Sequence, residues 1–100
     1  MDEIKGVWHI DLRPTPNSEP YIRDFVITDI SGTEFSGEFY STQFSNGLLN
    51  NDWDNVHFAF TTKDRNDTYY HSGYFKGEKI YGISYSVDRK FISYWKGTRD

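Results

Sequence analysis

An all-β chain rolled into a small closed barrel is predicted by three observations. Short runs rich in Val, Ile, Thr and aromatic residues recur between turn residues, and no stretch carries a sustained helical stripe. The connections Ile30-Ser31-Gly32, Lys76-Gly77-Glu78 and Val87-Asp88-Arg89 leave room only for antiparallel hairpins. An up-and-down meander with one apolar face and no helix to cover it hides that face most simply by closing on itself.

The pattern places strands at 5–12, 21–30, 33–41, 55–62, 67–76, 79–87 and 89–98. An eighth is expected within 43–49, where Ser45-Asn46-Gly47 offers the positive-φ residues of a tight hairpin between Phe44 and Leu48. Residues 13–20, RPTPNSEP, hold all three prolines and read as a stiff loop, since proline cannot sit in a central strand. Alternation groups Trp8, Ile10 and Leu12 on one face of the first strand, Phe35, Gly37 and Phe39 on the third, and Val56, Phe58 and Phe60 on the fifth run. On the later strands Tyr and Phe occur at both parities. That implies outward surface covered by a partner, a second copy of the chain being one form of it.

Composition bounds the rest. A chain of 100 residues supports a single domain, 1–100, because it buries too little surface for two cores. Cysteine is absent, so eight Phe, eight Tyr and three Trp must supply the core, each contributing roughly 1.5–3 kcal/mol when fully buried. The net charge of −4 is scattered, without the basic stripe that neutralises phosphates. Neither nucleic acid nor membrane is expected as a partner, and with no apolar leader at MDEIKG the expected setting is the cytoplasm.

Gly6-x-Trp8 on the first strand and Arg99 at the end of the last resemble the calycin pattern of avidins and lipocalins. The resemblance implies that Trp8 plugs one barrel end and that Arg99 lies across its indole, an attraction of about 0.5–2 kcal/mol. The run TEFSGEFYS is similar to the third strand of avidins, which implies that Phe35, Gly37, Phe39 and Ser41 point inward. Biotin binding does not carry over. Where avidins hold the ureido oxygen with Asn, Ser and Tyr, this chain has Ile10, Pro14 and Phe39, none with a side-chain donor.

Other chemistry finds little footing. Asp52 and Asp54 in NNDWDN alternate like calcium ligands but lack the turn Gly and distal carboxylate, so the loop reads as Asx turns, with Trp53 able to fold over the barrel mouth. His57 and His71 would face each other across a hairpin centred on Asp64, yet two ligands do not make a zinc site, and solvated or interfacial histidines are the plain reading. Glu34 and Glu38 lie opposite the phenylalanines, and no nucleophile elbow or phosphate loop is present. The expectation is a non-enzymatic protein, without metal or cofactor, that holds a small apolar or aromatic ligand at the mouth. Ile10, Leu12, Phe39, Trp53, Phe58 and Phe60 would line the site, and Ser41 and Tyr85 would orient the ligand. The alternative is a protein-interaction module, such as a small acidic inhibitor or immunity-type protein.

Overall fold

A computed structural model describes residues 1–99. After a 3-10 turn at Asp2–Ile4 come β1 (Gly6–Asp11), β2 (Ile22–Ser31), β3 (Glu34–Phe39), β4 (Thr42–Asn50), β5 (Val56–Lys63), β6 (Thr68–Lys76), β7 (Lys79–Ser86) and β8 (Phe91–Thr98). Each strand pairs antiparallel with the next, and β8 returns to β1 through His9↔Thr98, Ile10↔Gly97 and Asp11↔Lys96. The result is a closed eight-stranded barrel in meander order. Closure leaves no free sheet edge.

One expectation about the turns is overturned. Ser45-Asn46-Gly47 makes no hairpin, because β4 runs through it as one strand paired with β3. The reversal lies earlier, at Tyr40 and Ser41, whose φ angles are 51° and 69°. Gly47 is there for space: a Cβ on it would lie 2.4 Å from the Phe35 ring. Ser41 therefore sits exposed in the β3–β4 turn, not inward beside Phe39.

Phe25 stands in the middle of the interior, with the rings of Phe39, Phe58, Phe60 and Trp95 centred 5.2 to 6.2 Å away. Edge and tilted contacts of this kind suit the ring quadrupoles. On β7 the small residues Gly82, Ser84 and Ser86 face inward and Tyr81, Ile83 and Tyr85 face outward. The cause is Trp95 on the neighbouring strand: a Cβ on Gly82 would lie 2.4 Å from its ring. A large residue on β8 is accommodated by small ones on β7.

One end of the barrel is sealed. Trp8 is buried, its Nε1–H donates to the Ile4 carbonyl at 2.9 Å, and its ring packs 5.1 Å from Phe75. The Arg99 guanidinium lies 4.5 Å above the indole and donates to the carbonyl oxygens of Glu3 and Lys5. The first and last segments of the chain are thus tied together over the plug.

Candidate functional site

The other end is open. The meander brings the β1–β2, β3–β4, β5–β6 and β7–β8 connections to this end. Together they surround a cleft of about 570 Å³ whose lining includes Leu12, Tyr21, Phe39, Tyr40, Tyr69 and Phe91. A volume of a few hundred cubic ångströms is typical of a small-ligand site.

The rim is held by polar contacts written into the proline loop and its neighbours. Asp11 accepts from the Arg13 Nε at 2.8 Å and from the backbone amides of Arg13 and Tyr21. The Arg13 guanidinium holds the Asp11 carboxyl down to about 2. Across the mouth, Tyr21 and Tyr40 share a hydroxyl–hydroxyl hydrogen bond, and Arg23 stacks 3.8 Å over the Tyr21 ring. On the far side Arg89 donates to the Tyr69 hydroxyl at 3.0 Å, and Tyr69 donates to Asp64 at 3.3 Å.

The floor is polar. His71 is buried, with its ring 4.4 Å from Phe39 and 4.6 Å from Phe60. Its Nε2 lies 2.8 Å from Thr62 Oγ1 and its Nδ1 2.7 Å from Ser84 Oγ. The Trp95 Nε1–H also donates to Ser84 Oγ, at 2.8 Å. Burial lowers the His71 pKa to about 4, so the imidazole is neutral at ordinary pH.

The residues expected to bind ligand are distributed unevenly over this geometry. Leu12 and Phe39 line the cleft. Ile10, Phe58 and Phe60 are buried in the packed interior beneath it. Ser41 is exposed in its turn and contributes no lining atom. Trp53 is 71% exposed on the β4–β5 connection, at the sealed end, so it cannot fold over the mouth. Tyr85 points outward and stacks on Tyr70 at 5.2 Å, because Ser84 and Ser86 take the inward positions of its strand.

The histidines also fall differently from the expected register. Phe60 pairs with His71 and His57 with Tyr74, three positions from the pairing that would oppose the two histidines. His57 faces out against Tyr74, whereas His71 is neither solvated nor interfacial but part of the core. Thr62, His71 and Ser84 were missed as site residues. A faint signal existed: His71 shares its parity with Gly73 and Phe75. Among the described residues no three His, Cys, Asp or Glu side chains come together. In the loop at 51–55, the Asp52 amide donates to the Asn50 side chain at 2.8 Å, an Asx turn. Comparisons with protein-family models, curated proteins and solved structures returned no match to the chain.

Proposed function

We propose that this is a calycin-like binding protein, without catalytic activity, that holds a compact planar apolar or aromatic ligand at the open end of its barrel. The observation that carries this reading is the asymmetry of the interior. One end is stoppered by Trp8 and Arg99, the middle is filled around Phe25, and the remaining space opens to solvent between aromatic walls over a polar floor. A mostly apolar concavity with a few converging polar groups is the usual form of a small-molecule site. What speaks against biotin as the ligand is that Ile10 is fully buried in the core and Phe39 presents only a ring to the cleft.

The test is amide NMR of the free protein titrated with small planar aromatics such as indane and indanone. Shifts confined to residues around Phe39, Thr62, His71 and Phe91 are expected, with loss in Phe39→Ala. Because Phe39 also supports the core, Phe91→Ala at the exposed rim provides a second variant, expected to weaken binding in a folded protein. Unchanged spectra at saturating probe would overturn the reading.

A protein-binding role rests on a different observation, the apolar outer face of β6–β8. There Ile83 pairs with Tyr94 and Tyr85 with Ile92, and Ile92 and Tyr94 are 71% and 57% exposed. On a chain of net charge −4, such a face suits a basic target. Replacing Ile92 and Tyr94 with serine should abolish capture of that partner while leaving the cleft titration unchanged.

A further inference from the structure

The polar floor of the cleft contains one hydrogen more than it can use. Trp95, Ser84, His71 and Thr62 form a chain through contacts of 2.8, 2.7 and 2.8 Å. The indole, each hydroxyl and a neutral imidazole bring one donor hydrogen apiece, four donors for three bonds. One hydrogen is therefore left over whichever tautomer His71 adopts. The indole N–H can only donate, so Trp95 must give its hydrogen to Ser84.

Two directions remain. With the imidazole hydrogen on Nε2, Ser84 donates to Nδ1, His71 donates to Thr62, and the spare hydrogen is the Thr62 hydroxyl's. With it on Nδ1, Ser84 accepts twice, Thr62 donates inward, and the spare hydrogen is the Ser84 hydroxyl's. In the first direction Ser84 accepts one bond and donates one and Thr62 accepts one, so that successive dipoles reinforce one another. Both residues line the cleft, and this direction places the unused donor on Thr62, the less buried of the two. The second crowds two donors on Ser84, the more buried of the two residues.

We propose that the relay runs outward from Trp95 to Thr62, and that the cleft selects neutral planar ligands whose inner end carries a hydrogen-bond acceptor, a carbonyl oxygen or ring nitrogen, for the Thr62 hydroxyl. This rests on the ligand-binding reading above and adds the polarity of the ligand. A donor-only inner end would have just the second lone pair of the Thr62 oxygen, which already accepts from His71, and would leave the Thr62 hydrogen unpaired, a cost that offsets the bond gained. A carboxylate would bury a full charge against a single spare donor. The lowered pKa of His71 keeps the count valid at neutral pH.

The experiment compares three probes of similar outline: indanone with an acceptor, indane with neither group, and indole with a donor. Nitrogen NMR of the imidazole in the free protein should show the hydrogen on Nε2 of His71. Indanone should bind about threefold to tenfold more tightly than indane, and more tightly than indole. The indanone preference should vanish in Thr62→Val and persist in Thr62→Ser. A hydrogen on Nδ1, equal binding of indanone and indane, or a preference that survives Thr62→Val overturns the proposal while leaving a ligand site in place. If none of the probes binds, both the site and its polarity fall.

Discussion

The two ends of the barrel treat the same problem, an apolar interior meeting solvent, in opposite ways. At the sealed end one large residue does most of the work: Trp8 fills the opening, Ile4 satisfies its N–H, and Arg99 covers its face. At the open end the interior stops short at a buried polar chain that ends in Thr62, beneath walls that include Phe39 and Phe91. The contrast teaches that a barrel of this size needs only one firm stopper. The other end is then free to hold groups whose packing is incomplete.

The sharpest way to break the contrast is to remove the stopper. Trp8→Ala should cost about 3–5 kcal/mol, because it deletes a buried indole and leaves a cavity that β1 cannot collapse. Urea unfolding measures it, and a loss below ~1 kcal/mol would mean that the plug is ornamental.

The open end should declare itself through pH. His71 titrates at about 4 when folded, because burial disfavours its charged form. In the unfolded chain it titrates at about 6.5, so between these values the unfolded state binds the extra proton. Stability should be intact above roughly pH 6.5 and fall as pH drops toward 4, by on the order of 3 kcal/mol. Asp11, held down to about 2 by Arg13, acts only in the more acidic window and does not blur the result. His71→Gln should flatten the decline in denaturant midpoints taken across this range, and a wild-type midpoint already flat there would contradict the buried floor.

The smallest effect is expected at Arg99. Arg99→Gln removes the cation above the indole while keeping amide donors, and should cost about 0.5–2 kcal/mol. Tryptophan emission from the Trp8 region should shift as the ring face becomes wetter. Unchanged stability and emission would assign closure to Trp8 by itself.

Much of the fold was legible because period-two alternation is local. The faces of β1, β3 and β5 follow from Trp8 and Ile10, from Phe35 and Phe39, and from Phe58 and Phe60, all of which are buried. The pairing of Trp8 with Arg99 was legible through the resemblance of two short phrases at opposite ends of the chain. The site was harder to see. Ser41 was misplaced because a non-glycine turn at Tyr40 and Ser41 carries little signal beside Ser45-Asn46-Gly47. Trp53 and Tyr85 were misplaced because aromatic character draws a residue inward in any local reading, whatever its neighbours already fill.

By itself the sequence determined an all-β meander and the inward faces of its first strands, because these depend on neighbours one or two positions away. It pointed to the residues that stopper one end through the resemblance carried by Gly6-x-Trp8 and Arg99. Only the tertiary structure decided that β7 turns its small residues inward to admit Trp95, and that Thr62, His71 and Ser84 meet beneath the mouth. Which of two adjacent faces a strand buries depends on the volume supplied by strands distant in sequence. That volume is set only when the barrel closes.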